Sequence, residues 1–269
     1  QYVDKALIAG ASGLIVEKSG QYSVPTLIVP DGLKAFAAIG KRLRAKFRGP
    51  VFAVTGSAGK SSTKEMIGTM LGAKSVRSPA SFNNLLGVSK TLCLVTDGTE
   101  QLVLEMGMNN FGEIKELCET FSPQFGAITN IGDAHIGKLG GKEGVRRAKK
   151  ELFDYLATQP KSAVALNFDD ELVLKSYAEV WPTQKPKTVT YSIEKPDADV
   201  FVTNVRMNPH DGQLNLLLRV GKESCEVSLP IFGLHHAQNF AASVAVCRLL
   251  GMDLNQLKPA FSQLQPAKH

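Results

Sequence analysis

The run Val51-Phe52-Ala53-Val54-Thr55-Gly56-Ser57-Ala58-Gly59-Lys60-Ser61-Ser62-Thr63 carries the residue types that hold phosphate. A β-branched, apolar stretch ends in a turn with glycines at 56 and 59, and Lys-Ser-Ser then opens a helix-like segment that reaches Leu71. Glycine lets backbone N–H groups turn toward one anion, and a helix N-terminus favours negative charge. Lys60 is placed to reach terminal phosphates, and the Ser61 hydroxyl to hold Mg²⁺. The longer-spaced phosphate loop needs Gly where Val54 stands, so the pattern here is the shorter Thr-Gly-x-x-Gly-Lys-Ser. A glycine turn before a helix, with a solvated lysine, is the competing reading. The order strand, turn, helix favours phosphate.

Other candidate groups lie at the ends of apolar runs. Glu105 closes Gln101–Met106 and is a hard oxygen ligand suited to Mg²⁺, or else a strand-end carboxylate paired with a lysine. His135 follows the run Phe125–Asn130 in a glycine-flanked loop, Asn130-Ile131-Gly132-Asp133-Ala134-His135. Alone it reads as a surface histidine; beside a phosphate loop and Glu105, a metal or phosphate role is favoured. Lys149 sits in Gly144–Glu151, where the pattern alone reads as a solvated basic face. Asn83 and Asn84 are turn residues or polar contacts in a cleft. His235, His236 and Asn239 open a helix and read equally as capping groups or as ligand contacts.

The elements that must position these residues follow from periodicity. Residues 1–49 read as a small α/β unit: a helix over Tyr2–Ala9, strands over Gly13–Val16 and Thr26–Val29, and a helix from the Asp31 cap to about Phe47. Its apolar face is expected to be Leu33, Phe36, Ala37, Leu43 and Phe47, with the basic run Lys41–Arg48 on the wet side. Gly49-Pro50 marks a domain boundary. Beyond it helix and strand alternate. Helices are expected over Lys64–Leu71, Leu86–Leu94, Gly112–Phe121 and Gly144–Ala157, and strands over Ala73–Arg77, Gln101–Met106, Phe125–Asn130 and Ser162–Leu166. This is α/β, with βαβ units forming a mostly parallel sheet of the P-loop type and helices on both faces.

After Trp181 the texture changes. Strands over Val189–Ser192, Asp199–Met207, Gln213–Val220 and Ser224–Leu229, with a hairpin turn at His210-Asp211-Gly212, predict an antiparallel patch beside the parallel sheet. Helices over His236–Leu250 and Asp253–Leu264 close the chain. In an open parallel sheet, ligands bind beyond the carboxyl ends of the strands, so the loop at 55–61, Glu105 and the 130–135 loop converge there.

With 43% hydrophobic and 21% charged residues, the 269-residue chain has a globular balance, and the net charge of +6 suits anionic ligands. No basic block with interleaved aromatics points to nucleic acid. Cys93, Cys118, Cys225 and Cys247 lack Cys-x-x-Cys spacing; most sit in apolar contexts and read as reduced thiols of a cytoplasmic protein. No apolar run approaches the ~18–20 residues of a membrane span.

Taken together, Thr55–Met66, Phe82-Asn83-Asn84-Leu85-Leu86-Gly87-Val88, Leu104-Glu105-Met106-Gly107, Asn130–His135, Ala148-Lys149 and His235-His236-Ala237-Gln238-Asn239 resemble the Mur ligase family. Within it they resemble most the type that joins D-alanyl-D-alanine to UDP-N-acetylmuramoyl tripeptide. The resemblance implies a three-domain enzyme. Residues 1–49 would end the domain that holds the UDP substrate, 50–269 would be the central ATP-binding domain, and a C-terminal domain would be missing, leaving this fragment inactive alone. It implies ATP and two Mg²⁺ sites as cofactors, peptidoglycan precursor synthesis as the role, transfer of the γ-phosphate to a substrate carboxylate, attack by an amine, and a monomer.

The resemblance also implies residue roles. Thr55, Gly56, Ser57, Ala58, Gly59, Lys60, Ser61 and Ser62 would bind ATP phosphates, Lys60 neutralising their charge. Ser61 and Glu105 would hold one Mg²⁺, and His135 with a carbamylated Lys149 the second. Asn83 and Asn84 would meet phosphate or acyl phosphate, while His235 and Asn239 approach adenine. The chain departs from the family pattern at Ala58 and His236, where Asn is usual, and at Ser89, where Pro is usual. The runner-up readings are a ligase of the folylpolyglutamate or cyanophycin synthetase type, and a nucleotide-binding module without ligase activity.

Overall fold

The computed structural model describes residues 2–134 and 136–265. The chain begins with helix α1 (Val3–Ile8), strands β1 (Leu14–Val16) and β2 (Thr26–Ile28), and helix α2 (Gly32–Lys46). β1 and β2 pair in parallel as a small sheet of their own. Asp31 caps α2 as expected, accepting the Lys34 N–H at 2.9 Å. The buried face of α2 differs from the one expected. Leu33 is exposed, while Ala37, Gly40 and Arg44 face inward. Arg44 belongs to the basic run read as wet, yet its guanidinium donates to the carbonyls of Phe121, Ser122 and Phe47. Backbone acceptors at the end of another helix replace water, which is what makes its burial tolerable. Gly40 lets α2 approach the next layer closely: a Cβ there would lie 2.9 Å from Ser89 Oγ.

The remaining strands form a nine-stranded sheet. β3 (Val51–Thr55) sits inside it, between β5 (Gln101–Glu105) and β6 (Phe125–Ile128), with β4 (Ser75–Arg77) outside β5. β7 (Ala163–Asn167) and β8 (Lys187–Ser192) continue from β6, all in parallel. β9 (Val200–Met207) also pairs in parallel with β8; only β10 (Leu214–Val220) and β11 (Glu223–Leu229) add antiparallel ladders. The strand at 187–192, read from sequence as part of the antiparallel patch, therefore belongs to the parallel sheet. The patch is the far wing of that sheet.

Helices α3 (Lys60–Leu71), α8 (His236–Leu249) and α9 (Leu254–Phe261) cover one face. α4 (Leu85–Leu92), α5 (Glu113–Phe121), α6 (Lys142–Ala157) and α7 (Glu171–Val180) cover the other. Successive residues of β3 feed opposite cores: Phe52 and Val54 one, Val51 and Ala53 the other. That is the period of a strand buried on both faces. α3 starts at Lys60, earlier than expected, because Gly59 takes φ +79° at its N-cap and turns Ser61–Thr63 into the helix. α7 has no counterpart in the sequence reading. It is announced by Asp170, whose carboxylate accepts the N–H groups of Leu172 and Val173. Cys118 and Cys247 are buried, Cys225 is half-buried and Cys93 is exposed.

Candidate functional site

From β3 the chain crosses to β4 and β5 on one side and returns to β6 on the other, so the strand order reverses at the carboxyl end of β3. Loops diverge there and leave a crevice. The glycine loop lies in it and is braced from the tip of β6. Ser57 donates its N–H to the Asn130 carbonyl at 3.0 Å. The Asn130 side chain accepts the Ala58 N–H at 2.9 Å and donates back to the Ala58 carbonyl at 3.0 Å. Thr129 Oγ1 donates to the same carbonyl at 2.6 Å, and Gly132 N–H donates to Ser57 Oγ at 2.8 Å. At both glycines a side chain would be crowded. At Gly56 (φ +153°) a Cβ would fall 1.8 Å from Thr129 Oγ1, and at Gly59 (φ +79°) 2.2 Å from Asn239 Oδ1.

This bracing corrects one expectation. The amides of Ser57 and Ala58 are committed to Asn130. The donors left for an anion include the Gly59 N–H and those of the first turn of α3, from Lys60 to Ser62, which carries no capping side chain. Lys60 Nζ donates to the Gly56 carbonyl at 2.8 Å. Burial pulls its pKa below the usual lysine value, and the nearby Glu105 charge opposes that.

Beside the loop is a cleft of about 160 Å³ lined by Gly56, Lys60, Asn83, Asn84, Glu113 and Lys149, among others. Larger hollows, about 470 Å³ on the wing and about 760 Å³ at the far end of the sheet, lie away from the glycine loop. Glu105 is buried at the end of β5. Its Oε1 accepts from Asn83 Nδ2 at 3.0 Å, and its Oε2 has no hydrogen-bond partner among the described residues. A buried carboxylate oxygen without a donor, facing ammonium groups, is the kind of ligand a hard divalent cation takes. The strand-end pairing with lysine also exists: Lys64 Nζ lies 3.7 Å from Oε2.

Lys149 is not on a solvated face; only 2% of it is exposed. Burial, with the charge of Lys60 adding to it, lowers its pKa to about 7. Asn84 lines the cleft, but its Oδ1 is the N-cap of α4, accepting the Gly87 N–H at 2.9 Å. The turn-residue reading therefore applies to Asn84, while Asn83 reaches the carboxylate. His135 lies outside the described residues.

At the start of α8, Asn239 packs on Gly59, and His236 Nδ1 is 3.4 Å from Asn239 Nδ2. Exposed His235 packs on His236 with ring centroids 4.1 Å apart and the rings tilted by 40°. His235 supplies no side-chain cap to the helix, so the capping alternative fails for it. Burial, with His235 adding to it, lowers the His236 pKa to about 4, so the ring is neutral near pH 7. Sequence reasoning missed Lys64, which is wholly buried, and Asp170, whose Oδ2 accepts the Ile131 N–H at 2.7 Å and so anchors the start of the 131–134 loop. A polar residue opening an apolar helical period was the available signal for Asp170. Lys64 gave none, since its neighbours are hydrophilic.

The fold and the site define a P-loop-type α/β protein, with its glycine loop and buried charges at the switch point of a parallel sheet. A family model described as the Mur ligase middle domain matches residues 54–247. The chain belongs to the Mur ligase family. It is 35% identical over 268 residues to the UDP-N-acetylmuramoyl-tripeptide–D-alanyl-D-alanine ligase of Synechocystis sp., covering 97% of this chain and 55% of that relative. Among solved structures it is similar to MurF from Acinetobacter baumannii, with TM-score 0.86 and 30% identity over 99% of this chain and 57% of that one. MurF from Thermotoga maritima in complex with ADP superposes with TM-score 0.77 at 26% identity, over 95% of this chain and 58% of that one. The chain thus spans a little over half the length of these relatives.

Proposed function

We propose that this chain is the nucleotide-binding part of an ATP-dependent amide ligase that adds D-alanyl-D-alanine to UDP-N-acetylmuramoyl tripeptide. The observation that carries the reading is the buried Glu105 carboxylate, one oxygen without a hydrogen bond among the described residues, near Lys60 and Lys64 and beside the cleft that Lys60 and Lys149 line at the glycine loop. The names of the similar proteins supply the substrates. That the Thermotoga relative is in complex with ADP supports the nucleotide-binding part of the reading.

In this reading residues 50–269 form the ATP-binding domain and residues 1–49 the end of a domain for the UDP substrate. The first-turn amides of α3 and Lys60 bind the phosphates and neutralise charge that grows during transfer. Ser61 and Glu105 would hold one Mg²⁺. His135 and a carbamylated Lys149 would hold a second, Asn83 would orient Glu105 and the transferred group, and His235 and Asn239 would border the adenine. Mg²⁺ so bound supplies neutralisation of the phosphate oxygens. An unprotonated amine is what adds CO₂, and a pKa of about 7 leaves Lys149 unprotonated in a large share of molecules at neutral pH. Carbamylation turns an isolated cation into an oxygen ligand. The substrate carboxylate takes the γ-phosphate as ADP leaves, and the amine of the dipeptide then displaces inorganic phosphate from the acyl phosphate to form the amide.

The test is phosphate release by the full-length protein. Release from ATP that requires both UDP-N-acetylmuramoyl tripeptide and D-alanyl-D-alanine supports the reading. Release that needs neither, or none at all, rejects it.

A further inference from the structure

Lys64 lies one turn beyond Lys60 on α3, and its side chain is fully buried. Burying an ammonium is costly unless its protons are matched, and an apolar side chain would fill the space at no such cost. Two of its protons are matched, and its charge is paired. Nζ donates to the carbonyls of Ser78 at 2.7 Å and Ala80 at 2.5 Å, and Glu65 Oε1 lies at 3.0 Å. Glu105 Oε2, at 3.7 Å, lies beyond hydrogen-bond reach and receives the ammonium's charge without receiving a proton. The oxygen is attracted, fixed in direction and left open.

The carbonyls that Lys64 grips belong to the segment between β4 and α4. Ala80 there takes the left-handed backbone at φ +45°, a conformation that needs support in a residue with a Cβ. Ser78 Oγ accepts the backbone N–H of Glu105 at 3.1 Å. The same segment ends in Asn83, whose amide holds the other oxygen of Glu105. One buried cation therefore joins the phosphate-loop helix, the carboxylate and the loop that carries its second support.

We propose that Lys64 is a positioning residue: it sets the Glu105 carboxylate and the Ser78–Asn83 loop in the geometry that receives the divalent cation accompanying the nucleotide. The inference rests on the ATP and Mg²⁺ reading given above.

The experiment measures ATP affinity of the full chain by calorimetry, in Mg²⁺ and in EDTA, for wild type, Lys64→Met and Lys64→Arg. The expected result is that Lys64→Met weakens binding about tenfold or more in Mg²⁺ but less than about twofold in EDTA, where Lys60 still acts, and that Lys64→Arg recovers part of the loss. An equal loss in both media, or no loss in either, overturns the proposal. If Lys64→Met does not fold, the double variant with Glu105→Gln decides. Recovery of a cooperative melt when the uncompensated carboxylate is removed supports the coupling, and a double variant as unstable as the single one overturns it. A wild type that binds no nucleotide in either medium rejects the ATP reading itself, while the melts still judge whether Lys64 and Glu105 act together.

Discussion

In β3 every residue is buried, whereas in β10 buried and half-buried residues alternate along the strand. Both strands belong to one sheet. β3 is covered by helices on both sides, so its polar chemistry is pushed to its tip, where the glycine loop begins. β10 packs one face on the core around Phe240 and turns Asn215, Leu217 and Arg219 outward. Among the described residues, the buried ammonium groups of Lys64 and Lys149 both lie at the parallel end. The difference teaches where each half uses its side chains: the wing for cohesion, the tip of β3 for holding charges that folding alone would exclude.

Substitutions that trade effects between the halves would break this division, and the largest effect belongs to the wing. Leu218→Ala empties a fully buried site in β10 and should cost about 3 kcal/mol of stability in denaturant unfolding, with nucleotide affinity unchanged in the fraction that stays folded. A matching loss of affinity would show that the wing is part of the site.

Lys60→Ala should do the reverse, weakening ATP binding by about a hundredfold in calorimetry, or ~2.7 kcal/mol, while the thermal midpoint moves little. Gly59→Ala, forced against Asn239 at φ +79°, should weaken binding about tenfold with a modest loss of stability. Replacing Asn239 by Ala in the same chain should recover part of the stability loss, since the collision is with its side chain.

The subtlest test is of charge. Lys149 has a native pKa of about 7 against an ordinary value of 10.5. Between these values the unfolded chain binds more protons than the folded one, so this lysine makes stability rise with pH across that window. Below about 7 both forms are protonated and the full burden of the buried charge is present. Lys149→Met, melted in CO₂-free buffer, should therefore gain most over wild type near pH 6, with the advantage shrinking toward pH 10. A gap that does not change with pH would place the ammonium in water.

Much of this was legible in the residues. The run from Val51 to Thr63 announces a strand, a tight turn and a helix, and the apolar runs Leu102–Leu104 and Phe125–Ile128 announce two more strands. The direction of β8 was not legible, because a strand's own residues do not say which way its neighbour runs. Arg44, Lys64 and Lys149 were misread or overlooked for a common reason. Each stands in a hydrophilic local pattern, and only tertiary partners remote in sequence explain its burial: the Phe121 and Ser122 carbonyls for Arg44, the Ser78 and Ala80 carbonyls for Lys64, and the cleft for Lys149. α7 was missed because its capping Asp170 follows the polar end of β7 without a break.

The clamp that Asn130 places on Ala58 carries a kinetic consequence. The turn is already in its curved shape before any nucleotide arrives, so its ordering entropy is lost during folding and does not weigh on association. Encounter should then proceed without a slow conformational step, and residence time should set the affinity. Hydrogen–deuterium exchange would draw the same line through the loop: slow at the amides of Ser57 and Ala58, fast from Lys60 to Ser62 until phosphate covers them.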